Sequence, residues 1–262
     1  MNQALPREQL VRIGTVVVET VWLAAQRAGS PTIVFLHEGL GCVSLWRDFP
    51  FRLAEVTGCA ALLYSRHGYG KSTVCLDRFE PDYMHREALE TLPVLLDYFG
   101  IQDLVLYGHS DGASIALIFG GGAGRAIRGI AVEAPHVLVE PESLAGIAAA
   151  KIAFENGALK EGLARHHRDA ERTFRAWNNA WKDPRFRDWN IEAYLPAINV
   201  PVLMIQGQND AYGTLDQLET IEQAVSGPTS RLVLDECGHS PHREMPDAVI
   251  NQAAEFVNGL IK

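Results

Sequence analysis

Hydrophobic residues in this chain fall into short continuous runs separated by longer amphipathic stretches. Thr32-Ile33-Val34-Phe35-Leu36 is the clearest run. Others are Ala60 to Tyr64, Leu104 to Tyr107, Ile127 to Val132, Val202 to Ile205 and Leu232 to Leu234. Runs this short, bounded by turn residues, suit strands buried on both faces of a parallel sheet. The stretches between them carry helical spacing. Arg86 to Phe99 places Leu89, Leu92, Leu95, Leu96 and Phe99 on one face, and Met245 to Leu260 does the same with Val249, Ala253, Phe256, Val257 and Leu260. This alternation predicts an α/β fold: a mostly parallel central sheet flanked by helices and joined by right-handed crossovers. The β-branched stretch Val16 to Leu23 precedes the first buried run and is broken by Gly29-Ser30-Pro31. It predicts one or two antiparallel strands at a sheet edge.

The alternation lapses from about His136 to Ala197. Only helical patterns occur there: Glu142 to Asn156, Leu159 to Arg168 and Asp169 to Trp181. Two domains are therefore expected. Residues 1–135 and 196–262 form the α/β core, and residues 136–195 form a small helical cap inserted between core strands. The insert holds Trp177, Trp181 and Trp189, three of the five tryptophans. A cap over a site shapes the pocket and excludes water. Its tryptophans serve to pack it on the core, with Trp177, Trp181 and the opening His136 as candidates for substrate contact.

Composition narrows the function classes. The chain has 262 residues, 47% hydrophobic and 21% charged, as an ordinary globular protein does. A net charge of −9 argues against a general nucleic-acid binder. No stretch of about 20 apolar residues would span a membrane. The start, Met1 to Glu8, lacks an apolar signal region. Cys42, Cys59, Cys75 and Cys237 show no C-x-x-C spacing, so reduced thiols in a cytoplasmic protein are expected. No His, Cys, Asp and Glu grouping has metal-ligand spacing, so neither a metal nor a cofactor is expected. A small-molecule substrate is the expected partner; monomer and dimer both remain open.

The chemistry concentrates in Gly108-His109-Ser110-Asp111-Gly112, between an apolar run and a helical pattern. G-x-S-x-G in a strand–turn–helix context is a nucleophile elbow, where a serine sits exposed on a tight turn. Two candidate partners follow. The run ending at Gln206 empties into Gly207-Gln208-Asn209-Asp210, and the run ending at Asp235 empties into Glu236-Cys237-Gly238-His239. A serine hydroxyl needs a base to attack a carbonyl, and the base needs a carboxylate to hold its tautomer. Ser110, Asp210 and His239 are thus the candidate nucleophile, orienting acid and base. His242, three residues further, is the competing base; the glycine before His239 suits an exposed loop better. His67 and His109 are expected in local hydrogen bonding, as is His136 where it does not touch substrate.

These segments resemble the α/β-hydrolase superfamily. The resemblance rests on Phe35-Leu36-His37-Glu38-Gly39-Leu40-Gly41, Arg66-His67-Gly68-Tyr69-Gly70-Lys71-Ser72, the elbow, Gly207 to Asp210, and Cys237 to Glu244. The order Ser110, Asp210, His239 is the order of that superfamily, and within it the chain is similar to small serine esterases of the biphenyl-hydrolase-like branch. The resemblance implies the α/β-hydrolase fold, His239 as base, and an oxyanion hole. One donor of that hole is the backbone N–H of Asp111, which also opens a helix. The other comes from the loop after Leu36, where the resemblance points to Gly39, with Leu40 as its neighbour. Many members carry His-Gly at this loop, whereas this chain has His37-Glu38. Glu38 therefore either faces the pocket as a substrate contact or braces the loop. The Asp111 side chain either recognises a cationic group of the acyl part or bonds locally. A carboxylate beside a developing oxyanion opposes it unless counterbalanced, so each is expected to have a partner.

Two apparent motifs carry no function. Gly70-Lys71-Ser72 resembles a P-loop end, but Ser65 stands where its first glycine belongs. Gly120 to Gly124 follows a helix and reads as a helix stop and loop rather than a dinucleotide fingerprint. The leading expectation is a cofactor-free serine hydrolase of small or aromatic carboxylic esters. The alternatives are a C–C bond hydrolase of ring-cleavage products, a thioester or lactone hydrolase and, remotely, a non-catalytic ligand receptor.

Overall fold

The computed structural model describes residues 6–261, so Met1 to Leu5 of the chain start discussed above, and Lys262, lie outside the described residues. Eight strands form one sheet: β1 (Arg7–Ile13), β2 (Val16–Leu23), β3 (Thr32–Leu36), β4 (Ala60–Ser65), β5 (Leu104–His109), β6 (Gly129–Glu133), β7 (Val202–Gly207) and β8 (Thr229–Leu234). Their order is β1-β2-β4-β3-β5-β6-β7-β8. The strands from β3 to β8 pair in parallel; β1 and β2 add an antiparallel edge. The helices are α1 (Phe49–Thr57), α2 (Tyr83–Arg86), α3 (Leu92–Phe99), α4 (Asp111–Gly122), α5 (Pro141–Glu155), α6 (Ala158–Ala164), α7 (Ala170–Lys182), α8 (Asp216–Ala224), α9 (Pro241–Glu244) and α10 (Pro246–Gly259).

The continuous apolar runs follow from two covered faces. Val34, Leu62, Leu106, Val132 and Met204 enter one core layer. Their neighbours Phe35, Leu63, Tyr107, Ala131 and Ile205 enter the other, because successive side chains of a strand point to opposite faces. β1 escaped the sequence reading for the converse reason. It is an edge strand with only Val11 and Ile13 buried, so no run marks it. Val16–Leu23 is accordingly one strand, and its hairpin partner lies upstream.

Two helical expectations need correction. The pattern Arg86 to Phe99 is broken by a π-helical turn over Glu87–Thr91, where the Leu92 N–H bonds the Glu87 carbonyl. Pro93 has no N–H to offer the preceding turn, which favours such a bulge. The glycines from Gly120 to Gly122 lie inside α4 rather than after it. A side chain at Gly121 would collide with the Tyr194 carbonyl, so the run lets the segment before β7 pack directly on α4.

Between β6 and β7 the chain folds into α5, α6 and α7 followed by two short 3-10 turns. Strand order reverses at β3, which pairs β4 on one side and β5 on the other. In open α/β sheets, ligands bind beyond the carboxyl ends of strands at such a reversal. The loops after β3, β5, β6, β7 and β8 all end there.

Candidate active site

Ser110 lies between the end of β5 and the start of α4, with φ 54° and ψ −116°. A non-glycine residue at positive φ is strained, and here the strain lifts the side chain out of the turn. The flanking glycines permit that turn. A side chain at Gly108 would strike the Gly112 backbone, and one at Gly112 would strike the Leu36 carbonyl. Ser110 Oγ lies 3.0 Å from His239 Nε2. His239 Nδ1 lies 2.8 Å from both carboxylate oxygens of Asp210. An imidazole nitrogen facing a carboxylate donates, so Nδ1 carries hydrogen and Nε2 is free to accept from Ser110.

Asp210 is itself held. Oδ1 accepts the Tyr212 N–H at 2.8 Å and Oδ2 accepts Gln206 Nε2 at 2.9 Å. Burial alone would raise its carboxyl, but the His239 hydrogen bonds and charge, with the Tyr212 N–H, outweigh it and hold the pKa below the ordinary value. Tyr212 also lies against the His239 ring, centroids 4.5 Å apart. His242 does not reach Ser110: it sits in α9, buried, with Nδ1 2.7 Å from Glu133.

The loop after β3 is pinned from behind. Arg66 donates to the His37 and Glu38 carbonyls, and the Glu38 carbonyl also accepts from His37 Nδ1 at 2.7 Å and the Gly41 N–H at 3.0 Å. A trans peptide sends C=O and the following N–H in opposite directions, so the Gly39 N–H points away from Arg66. Leu40 is anchored by His167, whose Nε2 donates to its carbonyl at 3.0 Å while Nδ1 accepts the Gly70 N–H. The Trp177 indole lies against Gly39, where a side chain would collide with it.

Both acidic residues of the site have partners. The Asp111 side chain is 1% exposed, 3.8 Å from Arg66 Nη2, and accepts the Tyr83 hydroxyl at 2.5 Å. Tyr83 in turn accepts from Trp181 Nε1 at 3.1 Å. Burial raises the Asp111 pKa despite Arg66 and Tyr83. Of the two alternatives for the Asp111 side chain, these contacts are those of local bonding, to Arg66 and Tyr83. Glu38 Oε2 lies 3.6 Å from His109 Nδ1.

Glu38, Gly39, Leu40, Ser110, Asp111, His136, Trp177, Trp181 and His239 line one cavity of about 200 Å³, with Ser143, Ile147, Tyr212 and Ser240. The His136 carbonyl accepts from Ser114 Oγ at 2.6 Å, while its Nδ1 makes no hydrogen bond within the protein. Burial and the nearby His239 push its pKa down to about 3, so it stands neutral. A larger cleft of about 620 Å³ between the β1–β2 hairpin and the α2 region does not reach Ser110. Arg66 and Tyr83 stand between the two spaces, and the smaller one is the one that Ser110 and His239 line.

Sequence reasoning missed Arg66, Glu133, Tyr212 and the π-helical Glu87. Arg66 heads one of the segments that carry the family resemblance, two residues after the apolar run Ala60 to Tyr64, but nothing local gave it a role. His109, Glu133 and His242 form the described group nearest to metal-ligand spacing. Glu133 already accepts from Tyr107 and His242, so we assign it no metal.

An eight-stranded, mostly parallel sheet with a serine on a strained strand–helix turn at the point of strand reversal defines a hydrolase of the α/β type. The chain belongs to the Alpha/beta hydrolase family, whose model matches residues 33–252. No curated protein matches it. Among solved structures, it is similar to 2-hydroxy-6-oxo-6-phenylhexa-2,4-dienoate hydrolase from Rhodococcus sp. strain RHA1 (TM-score 0.78, 19% identity, covering 96% of this chain and 98% of that one). It is also similar to a thermophilic esterase from Thermogutta terrifontis (TM-score 0.71, 17% identity, 99% and 100%). A third is proline iminopeptidase from Mycobacterium smegmatis (TM-score 0.70, 15% identity, 97% and 98%). At these identities the likeness is one of fold.

Proposed function

We propose that this hydrolase cleaves small carboxylic esters through an acyl-enzyme on Ser110. The observation that carries the reading is the hydrogen-bonded series Ser110, His239, Asp210 beside a compact cavity that Trp177, Trp181 and Tyr212 help to line. Ser110 Oγ attacks the ester carbonyl as His239 Nε2 takes its proton. Asp210 stabilises the imidazolium that forms. The Asp111 N–H at the start of α4 and the Gly39 N–H, with Leu40 beside it, receive the oxyanion. His239 then protonates the leaving alcohol. Water, deprotonated by the same imidazole, attacks the acyl carbonyl and releases the acid and free Ser110.

We assign residues 136–195 the role of cap. Ser143, Ile147, Trp177 and Trp181 from α5 and α7 close the cavity, and neutral His136 adds a further polar group to its wall. About 200 Å³ suits a short aliphatic or single-ring acyl group. A cytoplasmic setting accords with four buried cysteines that form no disulfide, and among the described residues no helix is long and apolar enough to cross a membrane.

The test is hydrolysis of p-nitrophenyl acetate and butyrate by wild type and Ser110→Ala side by side. Turnover that disappears in the variant is the expected result. Equal rates would remove Ser110 from the chemistry. Loss of a dienoate C–C cleavage instead, with esters untouched by either protein, would reassign the bond that is broken.

A further inference from the structure

Three loops of the site meet at one buried imidazole. His109 is fully buried, and its Nε2 lies 2.6 Å from the main-chain carbonyl oxygen of His239. A carbonyl only accepts, so Nε2 carries hydrogen. Nδ1 has no hydrogen-bond partner and faces Glu38 Oε2 at 3.6 Å, an ion-pair separation. A bare lone pair at that nitrogen would be set against a carboxylate, whereas an N–H there is attracted to it.

The remaining neighbours agree with a charged ring. Glu133, at the end of β6, adds a second negative field, and it is shared with His242 and Tyr107. The His242 and His239 rings lie 5.0 and 5.2 Å away. His136 stands beyond His239, their rings 5.9 Å apart, and is neutral. Trp46 covers the last side at 6.3 Å. Burial opposes charging His109, but Glu38, Glu133 and the His239 carbonyl outweigh it and raise its pKa. Burial likewise opposes ionising Glu38, and His109, with His37 and His242, outweighs it and holds that carboxyl well below the ordinary range.

We propose that His109 is a positioning residue, a standing imidazolium paired with Glu38 that ties the loop carrying Gly39 to the loop carrying His239. The inference rests on the proposed function and deepens it. Glu38 immediately precedes the Gly39 donor, and an unanswered carboxylate there would repel the oxyanion; the imidazolium cancels that charge. Its other N–H fixes the main chain of His239, while the side chain of that residue moves the proton between Ser110 and the leaving group. His109 itself touches no reacting atom.

The test is a double-mutant cycle on ester turnover with His109→Gln and Glu38→Gln, alongside imidazole NMR of the wild type. His109→Gln, which keeps a donor and removes the charge, lowers kcat about tenfold to a hundredfold. Adding Glu38→Gln recovers most of that loss, because no bare carboxylate remains. A double variant as slow as the product of the two singles overturns the proposal. In the wild type, one histidine ring keeps both nitrogens protonated above the pH at which an ordinary imidazole deprotonates, and in Glu38→Gln that ring loses its proton at lower pH. Uniformly neutral rings in the wild type overturn the proposal even where a variant fails to fold. Absence of ester turnover in the wild type would sink the ester reading, and the NMR arm would still decide the pair.

Discussion

The floor and the roof of the cavity are built on opposite plans. The floor comes from strand ends, and its side chains are polar, buried and answered: Asp210 by His239, Gln206 and Tyr212, Asp111 by Arg66 and Tyr83, Glu133 by His242 and Tyr107. The roof comes from the insert: Ser143, Ile147, Trp177 and Trp181 face the cavity, and further aromatic rings pack behind Trp181. Trp181, Phe186 and Trp189 pack on one another at 4.7 to 6.3 Å, and the indole N–H groups of Trp177 and Trp189 have no partner. Directional bonds hold atoms to fractions of an ångström, as proton transfer requires, whereas apolar packing fixes volume and tolerates exchange. The floor should therefore set the rate constant, and the roof the choice of substrate.

The sharpest way to break this division is at Asp210. Asp210→Asn should lower kcat on p-nitrophenyl esters about 10⁴-fold with KM nearly unchanged, because the wrong tautomer of His239 is stabilised. A loss below tenfold in steady-state kinetics would take the chemistry away from the floor. Next in size is the seam where roof meets floor. Gly39→Ala drives a methyl group into the Trp177 indole, displacing the oxyanion donor. A fall of about a hundredfold in kcat/KM is expected, and Trp177→Ala in that background should restore part of it. Restoration would place the clash, rather than the lost glycine, at the origin of the defect.

A smaller effect is expected from the roof alone. Trp177→Ala enlarges the cavity, so the kcat/KM ratio of hexanoyl over acetyl esters should rise about tenfold. An unchanged ratio would confine Trp177 to packing. The smallest effect concerns stability. His136 has its folded pKa lowered to about 3 against an unfolded value near 6.5, so the unfolded chain binds more protons between those values. Its contribution is complete above pH 6.5 and is lost as pH falls toward 3. Between pH 7.5 and 6 the loss is about 0.8 kcal/mol, or roughly 2 °C in the melting midpoint. The buried His37 and His167 act in the same direction, and His109 acts in the opposite one. In His136→Gln the midpoint should vary less with pH over this range; an identical slope would mean that His136 is not neutralised by folding.

The parts legible beforehand share a physical cause. Strands buried on both faces must be apolar throughout, so β3 to β7 announce themselves, while half-exposed β1 does not. The elbow was legible because a serine held at positive φ between a strand and a close-packed helix demands glycine on both sides. Asp210 and His239 were legible as candidates from their place after apolar runs. Arg66 and Glu133 were not, because each matters through neighbours 26 to 109 positions away that local pattern does not identify; Tyr212 was not, because its ring meets His239 only in the folded chain.

By itself, then, the sequence determined the layered α/β architecture, the glycine-flanked serine turn and the helical segment between β6 and β7, all of which follow from periodicity and backbone restriction over neighbouring residues. Only the tertiary structure decided which partner each buried charge takes. It turned Asp111 toward Arg66, kept His242 on Glu133 and away from Ser110, and set Glu38 against His109. A buried carboxylate or imidazole is governed by the few atoms within about 4 Å of it, and here those atoms are supplied by different strand ends.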